Sequence, residues 1–221
     1  MGRAEVVRDY GGVSADDRRA ERRRKLLDAG RRIWGESGIS EVTVRGVCTA
    51  SGLTPRYFYE QFDNREALLV AITDEVLSEL TAVLLTVGLG EPGGVEHKLR
   101  AAFKAFLDVV EGDPHLHRIV DSDVAGVPGL LERRGRFLDS ILELVLEHGP
   151  RLLDLGEPDP ALLRRGATFI VGGVNQVIES WLHEPDGATT AEVAASCAAM
   201  CLAVVRTDIR DEFGRDRQSR A

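Results

Sequence analysis

Two short helical patterns meet inside one stretch of this chain, Thr43–Glu66, TVRGVCTASGLTPRYFYEQFDNRE. Thr43 is placed to N-cap the first, whose inner face would carry Val44, Val47, Cys48 and Ser51. Gly52 supports the tight turn at Ser51-Gly52-Leu53. The second pattern opens with Thr54 as cap and Pro55 at the first helical position, where a missing N–H costs nothing. Upstream, Leu26, Leu27, Ala29, Gly30, Ile33 and Trp34 form an apolar stripe at helical spacing, ended by Gly38. Tyr59 and Phe62 close a small three-helix core around these residues. Helices this short, joined by so tight a turn, constrain the segment to a helix-turn-helix.

The rest of the chain also reads as helical, with Pro and Gly at the breaks and no strand-like alternation, so the fold class is all-α. Asp63 or Asn64 caps a long fourth helix that runs out near Gly88, and Leu89–Val95 is a loop. A fifth helix through Leu99–Val110 stops at Gly112-Asp113-Pro114, and a short element spans His115–Val120. After a break at Val127-Pro128-Gly129, Leu130–His148 is the next long helix, closed by Gly149-Pro150. Two more helices follow, Ala161–Leu182 and Thr190 to about Ile209. The expected organisation is a flexible lead (1–17), a helix-turn-helix domain (18–66), a second helical domain (67–210), for which the family resemblance given below implies effector binding and dimerisation, and a flexible tail (211–221).

The last two helices are apolar around more of their circumference than a one-sided surface helix needs, and carry small residues such as Gly172, Gly173, Ala194 and Ala198. They read either as a buried hairpin within one chain or as a homodimer interface of four packed helices. A helix-turn-helix commonly reads DNA as a symmetric dimer, which favours the interface.

No apolar run reaches the ~18 residues of a membrane span, and the N-terminus lacks an apolar signal core. The three cysteines, Cys48, Cys197 and Cys201, sit inside apolar helical patterns without zinc-site spacing. They read as core side chains in a reducing compartment, and the expected location is cytoplasmic, without a membrane partner. A net charge of −8 taken as a whole disfavours DNA, but its distribution is uneven. Residues 1–70 hold 13 Lys+Arg against 11 Asp+Glu, a balance of +2, which leaves −10 for the remainder. The cluster Arg18, Arg19, Arg22, Arg23, Arg24 and Lys25 leads into the first helix. It is either a phosphate-facing surface or simply a solvated helix face.

From Leu26 to Leu69 the chain resembles the tetracycline-repressor-like (TetR) family of transcriptional regulators. The resemblance rests on Leu26-Leu27…Gly38, Thr43-Val44-Arg45, Ala50-Ser51-Gly52-Leu53-Thr54, Tyr59-Glu60-Gln61-Phe62, Arg65 and Leu68-Leu69, all in register. Gln61 stands where the family usually has His, Arg65 where it has Lys, and Trp34 where Phe is common. Pro55-Arg56-Tyr57-Phe58 is bulkier than the family's usual recognition segment, so the operator cannot be copied from a relative.

Resemblance and helix geometry together imply a double-stranded DNA operator as partner, with Thr43, Arg45, Thr54, Pro55, Arg56, Tyr57, Tyr59, Gln61 and Arg65 facing it. Thr43, Arg45, Thr54, Tyr59, Gln61 and Arg65 are expected on the phosphate backbone, which sets register without reading sequence. Arg56 and Tyr57 are the expected base readers, with a phosphate contact as the alternative for Arg56. Phe58 is expected to point into the core.

The C-terminal part shows no catalytic constellation and no phosphate loop, so the chain is not expected to be an enzyme or to carry a cofactor. The resemblance implies a small-molecule effector pocket with Phe103, Phe106, Leu107, Phe137, Ile141, Asn175, Glu179 and Trp181 as wall candidates, each of which also suits ordinary core. Such walls suit a small hydrophobic effector. Two alternatives stay open. One is a metal-binding sensor or enzyme-like domain using His115, His117 and Asp121, with Asp123 nearby; no metal is the bland reading. The other is a DNA-binding dimer without a ligand.

Overall fold

The computed structural model describes residues 14–122, 127, 129–184 and 186–206. The lead before Ser14, the tail beyond Arg206, and Asp123, Pro128 and Pro185 lie outside the described residues. Among the described residues all regular structure is helical: α1 (Ala15–Ser37), α2 (Val44–Ser51), α3 (Pro55–Tyr59), α4 (Arg65–Gly90), α5 (Val95–Gly112), α6 (Pro114–Val120), α7 (Leu130–Leu152), α8 (Pro160–His183) and α9 (Thr190–Val204), with a 3₁₀ turn at Ile39–Glu41.

Helix α1 begins within the segment expected as a flexible lead: Ser14 and Asp17 form a capping box ahead of Ala15, and Gly38 ends the helix at φ 96°. Thr43 accepts from the Gly46 N–H, and Gly52 closes α2 in the left-handed region at φ 69°. Asn64, not Asp63, caps α4 through the Ala67 N–H at 2.8 Å. Thr54 occupies the cap position of α3 without a side-chain hydrogen bond, so Pro55 alone starts that helix.

Three boundaries differ from the sequence pattern. Helix α4 continues to Gly90, because Lys98 on α5 donates its ammonium to the Leu89 and Glu91 carbonyls and so satisfies the end of the helix. Helix α7 runs through Gly149 and Pro150 to Leu152. Proline lacks a donor but its carbonyl still accepts, here from the Leu155 N–H at 3.0 Å, so the last turn persists. Thr189 is the cap of α9, in a capping box with Glu192, while Thr190 is buried and donates to Asp108 Oδ1 at 2.6 Å across to α5.

Helix α1 organises the head. Leu26, Leu27, Ala29 and Trp34 are buried with Val47, Phe58, Phe62, Leu68 and Ile72 in one continuous core. At Gly30 a Cβ would stand 2.8 Å from Ile72 Cδ1, so only glycine lets α1 lie this close to α4 without displacing that side chain. Arg31 clasps Glu79 of α4 through both guanidinium nitrogens, at 2.6 and 2.8 Å.

The head joins the body at the C-terminal end of α1. Trp34 is fully buried and its indole N–H donates to Ser122 Oγ at 2.8 Å. Arg118 of α6 donates to the carbonyls of Gly35 and Glu36, satisfying the last turn of α1. A Cβ on Gly35 would sit 2.4 Å from His115 Cβ and 2.9 Å from its Cα. Gly35→Ala should therefore force α1 and α6 apart and lower the unfolding free energy by ~1–3 kcal/mol, read by urea denaturation. An unchanged midpoint would show that the junction yields freely.

Candidate nucleic-acid interface and effector cavity

Helices α2 and α3 place a continuous polar surface on the outside of the head. Thr43, Arg45, Thr54, Pro55, Arg56, Tyr57 and Tyr59 are all exposed. Phe58 alone of the α3 segment is buried, its ring edge-on to Tyr59 at 5.4 Å and tilted against Phe62 at 5.7 Å. One side chain thus anchors the short helix and leaves its neighbours turned outward.

Arg56 is the most open of these groups, its side chain 85% exposed, with Nε 3.2 Å from Glu60 Oε1. An exposed i,i+4 pair is worth only ~0.3–0.5 kcal/mol, so this contact is readily exchanged for another acceptor. The Tyr57 ring is backed by the Arg22 guanidinium of α1, 4.8 Å from its centroid. Arg23 stacks on Phe62 at 4.6 Å and donates to the Gln61 carbonyl, and Arg19 reaches the Glu60 carbonyl. Part of the basic cluster therefore braces the end of α3, a role that the sequence pattern did not reveal. It is visible only once the turn folds α3 back onto α1.

Two expected phosphate holders sit differently from the rest. Arg65 donates from Nε to the Val42 carbonyl and from Nη2 to the Ile39 carbonyl, both at 2.5 Å. Its guanidinium ties the 3₁₀ turn to the start of α4, with its side chain only 27% exposed. Gln61 is half-buried, and its Nε2 is itself shielded from solvent with no hydrogen-bond partner among the described residues. Arg65→Ala should release the segment ahead of α2 and cost ~1–3 kcal/mol of stability in urea unfolding. Arg65→Lys should recover less than half, since an ammonium cannot span both carbonyls.

Between α4, α5, α7, α8 and α9 the body holds a cavity of about 300 Å³ that is open to solvent on one side, where Leu89 and Leu152 are exposed. Of the wall candidates, Phe103, Phe106, Phe137, Ile141 and Asn175 line it. Leu107 does not: it is fully buried in the core. Trp181 is buried with its indole N–H on the Ala188 carbonyl at 3.1 Å, which pins the α8–α9 turn. Glu179 lies outside the cavity, beside Arg134 and accepting from Asn175 Nδ2 at 2.9 Å. These three miss the cavity because helical spacing cannot tell a wall from the neighbouring face of the same helix. Leu84, Val174, Ile178 and Cys201 line it too, read from sequence only as generic apolar positions.

Burial pushes the Cys201 thiol up to about 12, with Cys197 beside it adding to the effect, and burial alone raises Cys48. All three are free thiols. Their thiolates are scarce at neutral pH, which suits packing rather than redox chemistry.

The residues of the metal alternative that are described have other contacts. His117 Nε2 lies 3.0 Å from the Leu182 carbonyl, Asp121 pairs with His183 at 3.3 Å, and His115 packs on Gly35. Among the described residues no three His, Cys, Asp or Glu side chains converge as a metal site. No helix among them is long and apolar enough to cross a membrane.

Residues 26–72 match the family model described as bacterial regulatory proteins, tetR family. A 75-residue stretch is 33% identical to an HTH-type transcriptional repressor of Mycobacterium tuberculosis, covering 34% of this chain and 40% of that protein. The chain thus spans about two-fifths of the length of that curated relative. The fold of the whole body is shared more widely. The repressor of the Stenotrophomonas maltophilia multidrug efflux pump SmeDEF superposes with a TM-score of 0.64 at 21% identity, over 82% of this chain and 88% of that one. Regulator FadR from Bacillus subtilis, solved with stearoyl-CoA, gives 0.63 at 16% identity, over 82% and 98%.

Proposed function

We propose that this chain, whose residues 26–72 match the model of the tetR family of bacterial regulatory proteins, is a ligand-responsive transcriptional repressor that binds a palindromic operator as a homodimer. The carrying observation is the exposed face of α3. Arg56 and Tyr57 project from a helix held rigid by buried Phe58 and backed by Arg22. Arg56 can exchange Glu60 for the O6 and N7 of a guanine, and Tyr57 can pack on a thymine methyl. Thr43, Arg45, Thr54, Tyr59 and Gln61 surround them as phosphate contacts that fix register. Arg65 holds the approach to α2 in place and acts on DNA through that segment. Salt-resolved binding to the operator tests this, the operator itself coming from genome-wide recovery of bound DNA. Arg56→Ala should lose ~1–3 kcal/mol of discrimination between operator and scrambled DNA. Arg45→Ala should weaken both alike and flatten the salt slope by about one. Equal loss on both DNAs for Arg56→Ala would move it to the phosphate group.

The second copy is proposed on α8 and α9. Phe169 is 69% exposed and Met200 is also exposed, large apolar groups on the outer faces of these helices. A Cβ on Gly172 or Gly173 would meet nothing within 4 Å, so the surface is open to a close-packed partner helix. A dimer formed there can set two α3 helices one DNA turn apart, ~34–36 Å. Phe169→Glu should shift the protein to monomer in sedimentation and weaken operator binding with it.

The cavity supplies the switch. An effector that prefers a conformer with different α3 spacing lowers operator affinity by as much as its preference for that conformer. Helix α4 reaches from the head to the cavity wall, so it carries the change. Two structural neighbours carry small molecules in solved complexes, triclosan for the Stenotrophomonas repressor and stearoyl-CoA for Bacillus FadR, which supports an effector role for the cavity. The present chain is proposed to take a small hydrophobic molecule and no cofactor.

A further inference from the structure

Three arginines share one face of α1, Arg19, Arg22 and Arg23, and they meet α3 and the turn after it in two different ways. Arg19 and Arg23 donate to the Glu60 and Gln61 carbonyls, which steadies the backbone just beyond the helix. Arg23 also lies over the ring of Phe62, a core side chain. Arg22 instead stands with its guanidinium carbon 4.8 Å from the centroid of the Tyr57 ring. Its Nε is shielded from solvent and has no hydrogen-bond partner among the described residues. An unpaired, shielded donor is unfavourable, so the ring, and not an acceptor at Nε, keeps this guanidinium in place.

The ring that Arg22 meets belongs to the outer surface of the head. Tyr57 is 37% exposed, so part of it stays accessible while the guanidinium lies over one face. A surface tyrosine otherwise divides its time among staggered rotamers. A cation over the ring favours the rotamer that keeps the contact, by about two- to fivefold at an exposed site. The ring held in this way offers the same edge to every DNA it meets. Arg56 has a separate support, because its partner Glu60 lies one turn along the same segment.

We propose that Arg22 is a specificity-determining positioning residue. From α1 it fixes the Tyr57 side chain in the orientation that meets a thymine methyl, without touching a base itself. This rests on the reading of Tyr57 as a base reader. Discrimination at one base step is then set jointly by two helices, while the guanine step read by Arg56 is independent of Arg22.

The test is binding of the full chain to the recovered operator, with each thymine replaced in turn by uracil and each guanine by 7-deazaguanine. Uracil lacks the methyl group of thymine, and 7-deazaguanine lacks the N7 acceptor. Uracil at one thymine of each half-site should weaken binding, and Tyr57→Ala should remove that dependence. Arg22→Met should reduce the thymine preference there about two- to fivefold and leave the deazaguanine effect unchanged. Arg22→Lys, which keeps a cation for the ring, should recover most of the preference. Should Arg22→Met fail to fold, Arg22→Gln reads the same loss. If Arg22→Met lowers the thymine and guanine preferences together, α3 has loosened as a whole and the proposal is overturned. Equal weakening on every DNA, with a flatter salt slope, makes Arg22 a phosphate contact and overturns it too. An unchanged thymine preference in Arg22→Met, beside its loss in Tyr57→Ala, removes only the role of Arg22. If no thymine shows the effect in the unaltered chain, the base-reader role of Tyr57 itself fails.

Discussion

The close contact of α1 with α4 is the constraint on which the other features depend. Gly30 allows the two helices to touch where any side chain would strike Ile72, and Arg31 fastens them beyond that point through Glu79. With α1 fixed, its upstream turns lie under α3 and its final turn lies under α6. The DNA-facing surface and the body are therefore referred to the same helix. A shift of α6 or α4 cannot leave the head where it was, because buried cores repack in discrete steps rather than flexing continuously.

The short α3 shows how little packing suffices to hold a recognition surface when its surroundings are rigid. Its five residues cannot be a stable helix alone, since nucleation costs more than one turn returns. Pro55 presets the start, Phe58 fills the core, and Arg19, Arg22 and Arg23 close over its end. The arginines serve twice: their stems and planes pack on rings while their charge favours a polyanion nearby. This explains how a chain with net charge −8 presents a head suited to phosphates. The acidic excess lies in the chain beyond residue 70, and the arginines of α1 lie beside α3.

The body follows a different logic. Its helices are long, their apolar faces are wide, and the space between them is left partly unfilled. An apolar cavity forgoes dispersion contacts and lowers stability, so a protein that retains one keeps it at a cost to its folding free energy. A ligand that fills the cavity returns those contacts, and any conformer that binds it better gains population.

The sequence by itself determined the elements whose chemistry is local. Caps at Thr43 and Asn64, the left-handed glycines at positions 38 and 52, the proline at the start of α3 and the 3.6-residue periodicity each act within a turn or two. They specified the helix-turn-helix and the inward turn of Phe58 before any contact was known. What tertiary structure alone decided are the contacts that join residues distant in the chain. Arg65 faces the Ile39 and Val42 carbonyls rather than outward, and Lys98 caps a helix it does not belong to. Leu107 and Trp181 enter the core while Phe103 and Phe137 line the cavity. Periodicity gives an apolar face about 100° wide, and within that width a residue can meet core, cavity or partner helix. Which of these it meets depends on the angle and distance between helices, set by side chains far away in sequence.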